Sequence, residues 1–439
     1  MQPLEKILED SLAEWSDQPG GFCAAFSGGR DSTVLLHLLA RIPRQVSLRA
    51  IHVNHGLHPD AAAWAEHCKS VAAGWGIPVS LLPVEVAVPK AAGGLEAAAR
   101  EARYAALREC LREGEWLFTA HHADDQLETV LLRLMRGGGP AGIAGIRRAA
   151  RFGKGSLVRP LLRARASELA DYARRHGLKW IEDPSNRDEG LDRNYLRRQV
   201  VPRLQARWPA AADTATRSAG LADEAALLLE DLAQIDSAAV IEGDTSDLAA
   251  LGVLSARRQR NLVRWFLHSH DMPPPSAAAL AEGLGQLLDA RADAAPRLSW
   301  ASGELRRYRD RAYLLRCHPD QEAVPGECAW DGRAALELGS LGGRLSLRQA
   351  VPAGPAPGQP PFTVRFRRGG ERLLQHGQHV SLKTLFQDGG VVPWMRAHVP
   401  LVFRGDELLS VGGLWYAEDS PGRAARDLEF QWEPRERVR

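Results

Sequence analysis

Cysteine is scarce and poorly spaced for chemistry. The five, Cys23, Cys68, Cys110, Cys317 and Cys328, are scattered over 439 residues without a CxxC pair, which excludes a zinc-ribbon or disulfide framework. Long apolar runs are also missing: no stretch approaches the ~20 residues that a membrane-spanning helix needs. The opening MQPLEKILEDSLAEW mixes charges with apolar residues at helical spacing and has no signal-peptide core. These absences lead to the expectation of a cytoplasmic protein with no membrane partner, whose cysteines are mostly buried, reduced and idle. Net charge is nearly absent too, with 56 Lys and Arg against 54 Asp and Glu. The balance is uneven along the chain. Residues 147–207 hold 16 basic and 7 acidic side chains, a local excess of +9, whereas residues 223–247 hold eight acidic side chains and neither Lys nor Arg.

What is present is enough for several packed cores, since 45% of the residues are apolar and the length suits roughly three domains. Up to about residue 135, short apolar runs (GFCAAF, SLRAIHV, PVSLLPVEV, EWLFTA) alternate with helical patterns over residues 31–41, 60–74 and 95–113 and from 124 onward. That alternation predicts an α/β domain over residues 1–210, a Rossmann-like, doubly wound parallel sheet with ligands at the carboxyl ends of its strands. A mostly helical domain follows over 211–350, ending in a basic hairpin, ELRRYRDRAYLLR. The Pro- and Gly-dense segment 351–361 reads as a linker, and 362–439 as a small α+β domain.

The strand-to-helix junction AAFSGGRDS carries the strongest chemical signal. A strand, a glycine turn and a helix start aim backbone N–H groups and a helix dipole at an anion. Ser27, Gly28, Gly29, Arg30, Asp31 and Ser32 are therefore candidates for holding nucleotide phosphates, although the glycines alone would mark only a tight turn. No GK[ST] lysine is present, so this is not a Walker loop; it matches the PP-loop of ATP pyrophosphatases. Such a loop explains Asp31 as a Mg2+ ligand, an N-cap being the structural alternative. In TAHHADDQLET, His121, Asp124 and Glu128 share i, i+3, i+7 spacing and hence one helix face, suited to Mg2+ or an incoming ammonium group. Asp124 and Asp125 also read as a capping cluster. HVNHGLH places His52 and His55 at the end of the second strand, where His52 either lines a nucleotide site or is a satisfied polar residue. Glu96, Arg100 and Arg103 share another helix face, as an internal ion pair or as active-site groups. Farther on, EDPSNRDEGLDRNYLRRQVVP offers Arg187, Arg193, Arg197 and Arg198, a stripe suited to RNA phosphates or a solvated face.

These motifs, SGGRDS, HVNHGLH, HHADDQLET and DPSN with DRNYLR, occur in an order that resembles the tRNA(Ile)-lysidine synthases. Later segments, QRNLVRWFL, RRYRDRAYLL and SLKTLFQDGGVVPWMRAHVPLVF, extend the resemblance over nearly the whole chain. It implies an ATP-dependent C–N ligase. ATP adenylates the carbon 2 oxygen of the wobble cytidine of a CAU-anticodon isoleucine tRNA, with loss of pyrophosphate. Free L-lysine then displaces AMP, and the product, lysidine, switches the tRNA from methionine to isoleucine. The resemblance implies ATP and Mg2+ as cofactors, Asp31, Asp124 and Glu128 as catalytic and metal-holding residues, and a homodimer as a further expectation. Arg257, which shares i, i+3, i+7 spacing with Arg260 and Arg264, Arg307 in the basic hairpin and Arg368 in the last domain are further candidates for RNA phosphates. Glycines at 137–139, 142 and 145 suggest a flexible loop that orders on tRNA docking. Rival readings stay open: a tRNA thiolation enzyme, which the missing CxxC disfavours; an amide-forming ligase, which would not need the basic segments; and a non-catalytic RNA-binding protein.

Overall fold

The computed structural model describes residues 3–15, 18–43, 45–56, 58–86, 94–291, 294–316, 326–348, 362–375, 377–417 and 428–434, with the backbone alone of 95–97, 186–187 and 340. The chain divides into two compact units, Met1–Leu228 and Leu229–Arg439. Among the described residues no helix is long and apolar enough to cross a membrane.

The first unit is built on a six-stranded sheet. Strands β1 (Gly21–Ala25), β2 (Leu48–Asn54), β3 (Val79–Pro83), β4 (Glu115–Phe118), β5 (Ala149–Phe152) and β6 (Gly155–Val158) run in the order β3-β2-β1-β4-β6-β5. All neighbours are parallel except the β5–β6 pair. Helices cover both faces, which is why β1 reads GFCAA with no polar alternation and buries four of its five residues. On one face α2 (Arg30–Arg41) buries Val34, Leu35, Leu38 and Leu39 against Phe26, Phe118 and Tyr172, the last from α7 (Ala166–Arg175). On the other, Leu107 of α4 (Gly94–Cys110) packs with Cys23, Ile51 and Leu117. The remaining helices of this sheet layer are α1 (Leu4–Ala13), α3 (Ala61–Ala73), α5 (Ala123–Met135) and α6 (Pro140–Ile143). The doubly wound sheet expected from the sequence is therefore present, with one addition. The β5–β6 hairpin closes its edge through a turn at Gly153 (φ 56°); its short strands, AARF and GSLV, hide within the basic segment.

The strand order reverses beside β1, with β2 on one side and β4 on the other. That switch point sets the loop after β1 next to the segment after β4. Beyond α7 the chain forms a 3-10 turn (Pro184–Arg187), α8 (Asp192–Tyr195), a π turn (Leu196–Val200), α9 (Val201–Arg207) and the long α10 (Ala211–Val240), which runs past the end of the unit.

In the second unit, α11 (Leu248–Val253), α12 (Ala256–Ser269) and α13 (Ala277–Asp289) pack on an antiparallel sheet. Its strands are β7 (Ile241–Glu242), β8 (Thr245–Asp247), β9 (Arg297–Trp300), β10 (Gly303–Tyr308) and β11 (Arg311–Leu315), in the order β7-β8-β11-β10-β9. The basic hairpin is thus part of a sheet layer, and the region is less purely helical than its Ala/Leu pattern suggests. A second departure concerns the third domain. Strands β12 (Cys328–Trp330) and β14 (Arg344–Leu347), although they precede residue 350, pair with β15 (Phe362–Arg365) and β21 (Phe430–Glu433). Apolar burial explains it, since Trp330 and Leu345 complete a core with Phe362, Val364 and Phe430. The linker, 351–361, lies outside the described residues. Cys23 and Cys68 are buried, and burial pushes both thiols up to about 12. Cys110 and Cys328 are half-buried, and Cys317 lies outside the described residues.

Candidate active site

The loop after β1 forms a cradle of donors. Gly28 has φ 82°, and a Cβ there would lie 2.7 Å from Ile181 Cδ1 and 2.8 Å from Cys68 Sγ, so both the conformation and the space demand glycine. Ile181 N–H donates to Gly28 O (2.9 Å), tying the turn to the chain beyond α7. The first helical acceptor in α2 is Gly29 O, which binds Thr33 N–H at 3.0 Å. The N–H groups of Arg30, Asp31 and Ser32 therefore precede the helical ladder and are available to an anion. Ser32 Oγ donates to Gly29 O (2.9 Å) and lies 3.0 Å from Ser27 Oγ, which fixes both hydroxyls at the mouth of the turn.

His52 lies beneath this loop, 5% exposed, with Nδ1 2.9 Å from Phe26 O and 3.3 Å from Cys68 Sγ. Burial holds its pKa below the ordinary value, with partial compensation from the Phe26 bond. Of the two readings of His52, the satisfied polar residue fits these contacts: Nδ1 is committed to the loop backbone, and the ring acts as a tie.

Asp31 faces a guanidinium and an imidazole. Arg30 Nε donates to its Oδ1 (2.9 Å), and His122 Nε2 lies 3.6 Å from its Oδ2. Burial pushes the Asp31 carboxyl up, but His122 and Arg30 more than offset it, so the net shift is downward and the group is ionised. His122, 4% exposed, caps α5. Its Nδ1 accepts from Asp125 N–H (3.4 Å), while its own N–H donates to Asp125 Oδ2 (3.1 Å). This is a capping box with an imidazole in place of the usual hydroxyl. Burial lowers the His122 pKa, and Asp31, Asp125 and Asp124 outweigh it and raise it. The adjacent His121, hydrogen-bonded to Thr119 Oγ1 (2.9 Å), goes the other way. Burial, aided by Arg159, Arg100 and Arg193 against Asp125, lowers it to about 3 and keeps the ring neutral.

The carboxylate face of α5 differs from the sequence reading. Asp124 is a tether: Oδ2 accepts Ala166 N–H at the start of α7 (2.8 Å), and Oδ1 accepts Gln205 Nε2 on α9 (2.5 Å). Glu128, 1% exposed, receives Arg193 Nε at 2.9 Å on Oε2, Arg197 Nε at 2.7 Å on Oε1 and Arg197 Nη2 at 2.9 Å on Oε2. Asp125 Oδ1 accepts Nη2 of the same two arginines, from Arg193 at 3.2 Å and from Arg197 at 3.0 Å. Burial raises Asp125, and His122, His121, Arg193 and Arg197 together bring it below the ordinary carboxylate range. Asp31, Asp124 and Glu128 consequently do not come together as a metal-holding group, and no such group of three His, Cys, Asp or Glu occurs among the described residues. Asp125 does cap α5, as the capping-cluster reading has it, and His122 is the partner that spacing does not reveal. An imidazole as capping acceptor disguises their i, i+3 relation.

The other basic candidates divide by environment. The Arg187 side chain lies outside the described residues, as does that of Glu96. Arg257 on α12 and Arg368 before β16 (Arg372–Gln375) are exposed. Arg307 is committed: Nη1 donates to Leu287 O (2.8 Å), Leu288 O (3.3 Å) and Ala290 O (3.0 Å), capping the end of α13. That bonding spends Nη1 on the protein's own backbone rather than leaving it free for a phosphate. The glycine loop after α5 is also held, by Arg133 Nη1 on Gly142 O and Gly145 O (both 2.9 Å) and by Gln126 Oε1 accepting Ile146 N–H (2.6 Å).

Comparison with known proteins agrees with this layout. Residues 2–204 match the family model of the PP-loop domain, 247–313 that of the TilS substrate binding domain, and 362–432 that of the TilS substrate C-terminal domain. The tRNA(Ile)-lysidine synthase of Alkalilimnicola ehrlichii is 43% identical over 426 residues, covering 95% of this chain and 96% of its own. That of Pseudomonas aeruginosa is 43% identical, with 98% and 97% covered, and that of Methylococcus capsulatus 41% identical, with 95% and 97% covered.

Proposed function

The chain belongs to the tRNA(Ile)-lysidine synthases, and from that premise we propose that it joins the ε-amine of free lysine to carbon 2 of the wobble cytidine of a CAU-anticodon isoleucine tRNA in the cytoplasm. It is an ATP-dependent ligase of PP-loop type. ATP adenylates the oxygen on carbon 2, pyrophosphate leaves, and the amine then forms the C–N bond as AMP departs.

The observation that carries the reading is the meeting, across β1 and β4, of an anion cradle and a buried carboxylate face. Loop amides and the Ser27 and Ser32 hydroxyls receive the triphosphate and stabilise charge that develops at the α-phosphate and on the leaving group. An ionised carboxylate within reach of those amides fits a hard cation. Asp31 would hold Mg2+, which when bound neutralises charge on the leaving pyrophosphate.

Asp125 and Glu128 receive the lysine amine, and each ammonium that docks displaces a guanidinium, leaving Arg193 or Arg197 for tRNA phosphates. A carboxylate there also suits removal of the proton that lysine must lose. Asp124 keeps α5, α7 and α9 in register. Arg257 and Arg368 contribute phosphate contacts.

The test is incorporation of labelled lysine into unmodified isoleucine tRNA with ATP and Mg2+, with methionine tRNA as control. Selective incorporation is the expected result. Pyrophosphate release stimulated by tRNA without any lysine incorporation would discard lysine as the nucleophile.

A further inference from the structure

The geometry points to His122 as a positioning residue that sets the Asp31 carboxylate against the phosphate loop from the first turn of α5. The inference rests on the reading of Asp31 as the residue that works with ATP and its cation.

His122 joins two elements that the sheet brings together only at its switch point. Its backbone and Nδ1 are fixed by the reciprocal cap with Asp125 (3.1 and 3.4 Å). Its Nε2 then lies 3.6 Å from Asp31 Oδ2 and 3.5 Å from Asp125 Oδ2. The cap decides where the proton sits. A neutral ring that accepts the Asp125 N–H on Nδ1 carries its hydrogen on Nε2. A charged ring carries hydrogens on both nitrogens, with Nδ1 3.7 Å from Asp124 Oδ2. In either state a hydrogen on Nε2 faces the loop carboxylate. A side chain 4% exposed, capped on one side and aimed on the other, has little rotational freedom, and an outer partner of this kind orients an ionic ligand as the second shell of a metal site does.

Two substitutions separate this role from plain helix capping. Asn at position 122 keeps an acceptor near Nδ1, and Asn is a favoured N-cap, but it ends short of Asp31. Gln reaches toward the Nε2 position and is a poor cap.

For the full-length enzyme, His122→Asn is expected to keep the wild-type melting temperature and ATP affinity. Its kcat for tRNA-dependent pyrophosphate release should fall about 10–100-fold with little change in KM for ATP, and half-saturation should need more Mg2+. His122→Gln is expected to melt earlier yet recover part of that kcat. Asp31→Asn serves as the control for the underlying reading. If Asp31→Asn loses pyrophosphate release while His122→Asn retains wild-type kcat and Mg2+ dependence, His122 is only a cap and the proposal is overturned. If Asp31→Asn itself keeps full activity, the reading of Asp31 fails first.

Discussion

Two neighbouring regions of the catalytic unit treat their polar groups in opposite ways. The loop between β1 and α2 leaves the N–H groups of Arg30, Asp31 and Ser32 ahead of its helical ladder, whereas the carboxylates of α5 are engaged by the protein's own donors: Asp124 by Ala166 and Gln205, Glu128 and Asp125 by Arg193 and Arg197. In the proposed function phosphate meets a site already shaped, since backbone N–H groups at a helix start cannot rotate away. In that reading the amine enters a site already filled, where an incoming cation would replace Arg193 or Arg197. The difference matters for catalysis because preorganised dipoles need no rearrangement when charge develops, while a filled ion-pair site ties entry of one substrate to release of a contact for the other.

The largest effect is expected at the open region. Asp31→Asn should lower tRNA-dependent pyrophosphate release by about 10²–10³-fold, the range seen on losing one preorganised electrostatic group, with the melting temperature retained. At the filled region the balance reverses. Glu128→Gln leaves two guanidinium groups against a buried neutral amide, and removing one partner of a buried pair costs about 3 kcal/mol. A fall in melting temperature of roughly 6–12 °C should follow for a unit of this size, read by thermal denaturation of the full chain. A variant that melts like the wild type would show the pairs to be incidental.

The same contrast of committed and free groups orders the arginines of the second unit. Arg257→Ala, at an exposed position, should reduce the salt dependence of tRNA affinity by about one phosphate contact and leave stability unchanged. Arg307→Ala should do the reverse, costing about 1 kcal/mol for the lost carbonyl bonds without altering the salt slope. Exchanged outcomes would reverse the assignment.

The smallest expected effect is a pH dependence away from the site. His37, hydrogen-bonded to Tyr172 OH at 2.9 Å, is lowered to about 4 by burial and by His176 and Arg41, against Glu5. The folded protein therefore holds this ring neutral where an unfolded chain would protonate it. Stability should be full above about pH 6.5 and decline as pH falls toward 4. His37→Gln should flatten that part of the acid-denaturation profile.

The phosphate loop was legible in the sequence because everything that makes it, the apolar strand, the glycine turn and the helix start, lies within a dozen residues. The sheet was legible for the same reason, apart from the β5–β6 hairpin, whose glycines and arginines break the alternation. The filled state of the α5 face was not legible. Glu128 meets Arg193 and Arg197 across 65 and 69 residues, and spacing alone records that a carboxylate and an arginine lie on suitable faces, not that they face each other. The contacts of His52 and Arg307 were hidden for the same reason: residue type shows a polar group, and only packing shows it bonded to Phe26 O and to the end of α13.

The central claim, that the phosphate site is preformed while the amine site is filled, is tested most directly by calorimetric titration of the free full-length protein with Mg2+ and ATP, without tRNA or lysine. Saturable binding at one site per chain is expected, lost in a Gly28→Ala variant whose added Cβ meets Ile181 and Cys68. Absence of ATP binding until tRNA is added would mean that the loop is assembled by the substrate, and would contradict it.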